Sequence, residues 1–258
     1  MLFRSGIDAA AGATNVLAAS GRGYKINTAV VPIVPAAILF DLVNGGDKSW
    51  GEDPPYRRLG AEATRSIGLD FPLGNVGAGL GAKAGMLKGG LGSASLVSPD
   101  GVQVGALVAV NSWGETVMPG SRHFWAWPFE QDGEFGGLGA PTLTGSLDLE
   151  MPRPPLPPSP AANTTIAIVA TNVKLDKGEA RRMALMADDG LARAIRPVHT
   201  PADGDTVFAL STGKLPLADL PMLTLVGHMA ADCLSRAVAR AVYHAETLGR
   251  FLGWKSLK

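Results

Sequence analysis

The clearest pattern of apolar and polar positions lies in residues 164–258. TIAIVAT, residues 165–171, is a β-branched apolar run and predicts a buried strand. Residues 174–193 contain a helix-forming run that starts at Lys177, and TVFALS, residues 206–211, predicts a second strand. Residues 220–248 carry a long helical pattern with apolar faces. Strand, helix, strand, helix is an α/β layer arrangement. Earlier in the chain, residues 7–20 predict an Ala-rich helix, and residues 59–67 a second one after a loop. Residues 28–42 are apolar but broken by Pro32 and Pro35, so they predict one or two short strand pieces around a turn. Residues 75–92 are glycine-rich, and strands are expected at 93–97 and 102–111. Residues 121–139 mix aromatics, acids and glycines and read as a long excursion. Residues 152–160 hold six prolines and predict an extended segment.

Composition adds few constraints beyond a well-filled interior. Of 258 residues, 46% are hydrophobic and 18% charged, and the formal net charge is zero. No basic patch alternates with aromatics, so no nucleic-acid partner is expected. The N-terminal stretch is broken by Arg4, Asp8 and Asn15 and has neither signal-peptide layout nor a membrane span, so a cytoplasmic protein without a membrane partner is expected. The single cysteine, Cys233, sits in an apolar helical stretch and reads as buried packing. Four scattered histidines show no ligand spacing, so no metal site is expected. GNVGAGLGAKAG lacks the Gly-Lys-Ser/Thr of a phosphate loop, because Lys83 lies between Ala82 and Ala84. No cofactor is expected.

The chemistry centres on the passage from the proline-rich segment through Asn163-Thr164-Thr165 into a strand. A threonine at a chain N-terminus carries a free amine with a pKa near ~8 beside its own hydroxyl, so one residue supplies nucleophile and base. Such a terminus arises inside a chain only by cleavage. The Thr164 hydroxyl is suited to attack the Asn163 carbonyl and give an ester that water opens. Read alone, Asn-Thr-Thr is equally an ordinary strand start. Three polar islands lie among apolar residues, at 86–90 (MLKGG), 109–114 (AVNSWG) and 199–208 (HTPADGDTVF). If buried, their polar groups must converge on partners.

NTTIAIVATNVKL followed by RPVHTPADGDTVFALSTG resembles the second subunit of the P1 or S58 self-processing peptidases. That family includes L-aminopeptidase/D-esterases, β-peptidyl aminopeptidases and the 6-aminohexanoate-oligomer (nylon-oligomer) hydrolases, and the motifs look most like the last. Upstream, GIDAAAG, GRGYKI, VPIVPAAILFDL, GNVGAGLGAKAGMLKGGLGSAS and VGALVAVNSWG follow the family in order, and residues 115–160 match least. The resemblance implies a four-layer α/β/β/α sandwich. It would form a single domain cut into residues 1–163, ending in the proline-rich segment 151–160, and residues 164–258.

The resemblance further implies amide or peptide hydrolysis through an acyl-enzyme on Thr164, freed by autocleavage after Asn163. Lys88 matches the family's active-site lysine, with Lys83 as its near neighbour. Asn111 matches the oxyanion-holding asparagine. Asp203 and Asp205 match two acidic positions found in the nylon-oligomer hydrolases, where the peptidases carry serine and glutamate. His199 is given no role. The implied partners are a small amide or peptide substrate and further copies of the cleaved pair, as a homotetramer or higher.

Two departures stand out. Only MLFRS precedes the GIDAAAG-like helix, where the family has further strands and a VDVRGG-like segment, so the N-terminal part reads as truncated: either one sheet has lost strands and exposes an edge, or the sequence is an incomplete one. Phe40, at the pocket, stands where several members have tyrosine, which removes one oxyanion donor. Two alternatives stay open: acyl transfer of the ornithine acetyltransferase type, and an inactive member with a structural role.

Overall fold

The protein is described from a computed structural model, in which residues 5–142 and 163–257 are described. The proline-rich segment 151–160 lies outside the described residues. Two compact units are present, Met1–Pro72 and Leu73–Lys258.

In the first unit, α1 (Ser5–Ala19) packs on α2 (Tyr56–Arg65). Glycine permits this contact. A Cβ on Gly12 would lie 2.0 Å from the Arg57 carbonyl oxygen, and one on Gly60 would lie 2.2 Å from that of Ala9. Strands β1 (Tyr24–Ile26) and β2 (Ala29–Val31) form an antiparallel hairpin. Of residues 28–42, only Ala29–Val31 is strand. Pro32 follows at once and has no N–H to extend the ladder.

The second unit carries the α/β layers. A small hairpin, β3 (Lys83–Ala84) with β4 (Leu87–Lys88), leads into β5 (Gly90–Val97) and β6 (Gln103–Val110). Then come β7 (Ile166–Val173), α3 (Lys177–Ala194), β8 (Thr206–Leu215) and α4 (Leu220–Tyr243). The main sheet has the order β5-β6-β7-β8. Its first two pairings are antiparallel, and β7–β8 is parallel because α3 makes the crossover. The period-2 pattern of β7 buries Ala167, Val169, Thr171 and Val173. Ala167, Val169 and Val173 join Val104, Ala106 and Val108 of β6 in a core with Met183, Leu191, Val226, Leu234 and Val238 of the helices.

Both helices begin at aspartates. Asp176 accepts the Glu179 N–H at 2.8 Å while the Glu179 carboxylate accepts the Asp176 N–H at 2.7 Å, a capping box. Asp219 accepts the Met222 N–H at 2.9 Å. The helix α4 lies directly on the sheet at Gly92, where a Cβ would meet the Ala237 carbonyl oxygen at 2.0 Å. Cys233 is buried there, with its thiol 3.4 Å from the Val104 carbonyl oxygen, and burial pushes its pKa up to about 12. The excursion at 121–139 is held by side chains rather than by strands. Phe124 stacks on Trp254 at 5.4 Å between centroids, and Glu134 pairs with Arg236 of α4 at 2.5 Å. Among the described residues, no helix is long and apolar enough to cross a membrane, and no cluster of side chains has the make-up of a metal site.

Candidate active site

The ladder between β7 and β8 does not stop where the strands do. It continues backwards through Thr165, whose carbonyl accepts the Thr206 N–H at 3.0 Å, to a parallel bridge between Asn163 and Asp203. There the Asn163 N–H donates to the Ala202 carbonyl at 3.1 Å, and the Asn163 carbonyl accepts the Gly204 N–H at 2.8 Å. The Thr164 hydroxyl donates to the same Asn163 carbonyl oxygen at 2.6 Å. Asn163, Thr164 and Thr165 are all buried. Thus the peptide bond between a polar pair is held at the end of the interior strand β7, with the neighbouring hydroxyl against its own preceding carbonyl.

Asn111 follows the last residue of β6 and is fully buried. Its backbone carbonyl accepts the Thr164 N–H at 2.7 Å, and its side-chain oxygen accepts the Lys83 backbone N–H at 3.1 Å. The second bond fixes which end of the amide is oxygen, so the opposite end presents the N–H donors.

Lys88 is only 1% exposed, and its ammonium donates to the carbonyls of Gly79, Ala82 and Gly89 at 2.8, 2.8 and 2.6 Å. Three protons meet three carbonyls, which shapes the glycine-rich loop around a buried positive charge. The two acids are tied to backbone. Asp203 accepts the Trp113 N–H at 3.0 Å through one oxygen, and the Thr200 N–H and hydroxyl through the other. Asp205 accepts the Thr165 N–H at 2.8 Å and faces His199 Nδ1 at 3.0 Å. Burial raises the Asp205 pKa, opposed by the Thr165 N–H.

The residues predicted from the second unit therefore converge: Asn163, Thr164, Asn111, Asp203 and Asp205 share one hydrogen-bonded neighbourhood. Lys88 pairs through the β3–β4 hairpin with Lys83, whose N–H holds Asn111. Phe40 belongs to the first unit, just before the 41–44 turn that follows β2.

The sequence did not point to four further contributors. Lys83 donates through Nζ to the Ser112 carbonyl at 3.3 Å, and burial lowers its pKa although Glu115 and Asp203 favour its charge. Burial pushes Glu115 up to about 7, against the Met86 N–H bond at 3.0 Å. The Gly204 N–H and the His199 ring are the other two. Around them the Asn163 side-chain oxygen, the Thr165 hydroxyl and the Trp113 indole N–H are buried without a hydrogen-bond partner among the described residues. Such a concentration of unmet polar atoms suits a place that receives polar groups.

Known proteins resemble this chain in sequence and fold. An uncharacterized aminopeptidase of Mycobacterium tuberculosis is 42% identical over 253 residues, covering 93% of this chain and 72% of the relative. A 6-aminohexanoate-oligomer endohydrolase of Paenarthrobacter ureafaciens is 27% identical over 258 residues, covering 92% and 68%. A Burkholderia β-aminopeptidase structure superposes with a TM-score of 0.63 at 22% identity, covering 95% of this chain and 68% of that one. The L-aminopeptidase D-Ala-esterase/amidase of Ochrobactrum anthropi, described as a variant of the Ntn-hydrolase fold, gives 0.60 at 18%, covering 94% and 65%. The mixed α/β fold is thus of the Ntn-hydrolase kind, and Peptidase family S58 matches residues 3–255. The chain belongs to peptidase family S58, a family of hydrolases acting on peptide and amide bonds.

Proposed function

We propose that Thr164 is the nucleophile of a self-processing aminopeptidase or amidase, and that the bond it first cuts is its own. The observation that carries this reading is the Thr164 hydroxyl 2.6 Å from the Asn163 carbonyl oxygen, with the Gly204 N–H on that same oxygen. In the first step Thr164 Oγ bonds to the Asn163 carbonyl carbon. The bond from that carbon to the Thr164 nitrogen breaks, and the hydroxyl proton passes to the nitrogen. Water then opens the ester, leaving an Asn163 carboxylate and a Thr164 with free amine and hydroxyl. In turnover the amine takes the hydroxyl proton, the acyl group of the substrate forms an ester on Oγ, the leaving amine departs protonated, and water releases the acid.

Asn111 donates to the developing oxyanion, and its backbone carbonyl keeps the Thr164 nitrogen in place. The buried Lys88 charge favours the neutral amine. Asp205 holds the Thr165 N–H beside the junction, and Asp203 holds the Trp113 N–H, two residues beyond Asn111. Substrates are small amides and peptides with a free amino group, in keeping with the aminopeptidase relative at 42% identity. Linear aminohexanoate oligomers are the second class, in keeping with the relative at 27%. The active form is an oligomer of cleaved chain pairs.

Denaturing mass analysis tests this. The purified protein should split between Asn163 and Thr164, and Thr164→Ala should stay whole and inactive on an amino-acid p-nitroanilide. A cleaved Thr164→Ala chain, or a folded wild type that stays whole, would overturn the proposal. Adding a second amine as acceptor separates the acyltransferase alternative, which predicts amide product in preference to free acid.

A further inference from the structure

The turn at 197–205 carries a histidine that the catalytic scheme does not use. The His199 ring lies between two carboxylates, with Nδ1 3.0 Å from Asp205 and Nε2 3.2 Å from Asp188 of α3. The ring thus faces a carboxylate oxygen at each of its nitrogens, one from the turn itself and one from the helix. The Asp205 carboxylate is 4% exposed, whereas His199 and Asp188 are 39% and 41% exposed. His199 also has φ of 53°, in the left-handed region that a non-glycine residue rarely adopts. Strained backbone of this kind persists where surrounding contacts impose it. Here the contacts lead inward: α3 holds Asp188, Asp188 and Asp205 hold the ring, and Asp205 holds the N–H of Thr165, next to Thr164.

We propose that His199 is a positioning residue, whose imidazole, anchored on Asp188, holds the Asp205 carboxylate on the Thr165 N–H and so fixes the orientation of Thr164. This rests on the Thr164 reading above. Asp205 has two oxygens and two duties. Oδ1 takes the Thr165 N–H, and Oδ2 takes the histidine. Without the second contact the buried carboxylate is free to rotate or to take up a proton, and its hold on Thr165 loosens. A nucleophile displaced by a fraction of an ångström retains its binding site but loses rate. The effect therefore falls on kcat and leaves KM near its starting value.

Asparagine and glutamine separate the two ends of the ring. Asn places its N–H₂ near the position of Nδ1 and tolerates the left-handed backbone, so His199→Asn keeps a donor for Asp205. Gln reaches toward the position of Nε2 and keeps a donor for Asp188 only. Measured per processed chain on one amino-acid p-nitroanilide, His199→Gln and His199→Leu should lower kcat by about tenfold to a hundredfold with KM little changed. His199→Asn should restore most of it. In an Asp205→Asn background, His199→Leu should add little, because both changes break the same contact. Wild-type kcat in His199→Gln, equal losses in Asn and Gln, or full multiplication of the Leu and Asp205→Asn effects would overturn the role. If His199→Leu does not fold or process, the Asn and Gln comparison decides alone. Cleavage and activity in Thr164→Ala would instead sink the underlying Thr164 reading, a result that the His199 variants cannot mimic.

Discussion

Replacing Glu115 by glutamine tests the electrostatics of the site without touching the proposed nucleophile. Glu115 lies against the β3–β4 turn, where a Cβ on Gly85 would come within 2.2 Å of its carboxylate carbon. Burial lifts its pKa from 4.5 to about 7. The folded state therefore favours the protonated acid, and the group's contribution is most favourable below pH 4.5 and is lost as pH rises through about 7. The difference of 2.5 between those two values, at about 1.4 kcal/mol per unit, is a cost of about 3 kcal/mol to the folded state above pH 8. Glutamine has no such titration and still accepts the Met86 N–H. Glu115→Gln should thus gain on the parent by up to about 3 kcal/mol between pH 4 and pH 8.5, with the change concentrated between the two pKa values. Urea unfolding in a Thr164→Ala background keeps the chain whole and the transition unimolecular within each protomer. A stability difference that stays flat across pH 4 to 8.5 would refute the argument, because it would mean that Glu115 titrates alike in folded and unfolded chains.

Two further outcomes follow from the same neighbourhood. Asn111→Ala should lower kcat on the order of a hundredfold once the chain is processed, as expected for loss of an oxyanion donor; an unchanged kcat removes Asn111 from the mechanism. Lys88→Met should lower stability by about 3 kcal/mol or more, since three buried carbonyls lose their donor, and an unchanged urea midpoint would show that the loop holds its shape without the ammonium.

Much of the architecture was legible because it depends on short-range pattern. The alternation of Ala167, Val169, Thr171 and Val173 is a strand signal in any context, and Asp176 followed by Glu179 marks the start of α3. Element ends were less legible. The strand β8 runs to Leu215 instead of stopping near 211, because a register shift at 171–173 lets Val173 pair with Leu215, and only the partner strand reveals this. The helix α4 ends at Tyr243, with His244 as its cap, although helix-forming residues continue. At the site, polar residues that follow strand ends were visible as islands. Their partners were not, since Lys83 reaches Asn111 across 28 positions and Asp203 reaches Trp113 across 90. Backbone donors such as the Gly204 N–H leave no trace in side-chain identity. His199 looked inert because its meaning depends on Asp188, which lies on the facing helix.

The bridge between Asn163 and Asp203 has a consequence for substrate choice. While the chain is whole, residue 163 stands where an acyl group stands in turnover under the Thr164 reading. Its N–H reaches the Ala202 carbonyl, and its C=O reaches the Gly204 N–H. The junction is thus a ruler cut to the length of one α-amino acid, from amine to carbonyl. An N-terminal α-amino acid placed on it sets its ammonium on the Ala202 carbonyl and its own carbonyl on the Gly204 N–H. A β-amino acid or an aminohexanoyl unit can still set its carbonyl on the Gly204 N–H, but its more distant amine needs an acceptor beyond the Ala202 carbonyl. Under the Thr164 reading, the chain's own first cut is therefore a template for the pose of an α-amino acyl group.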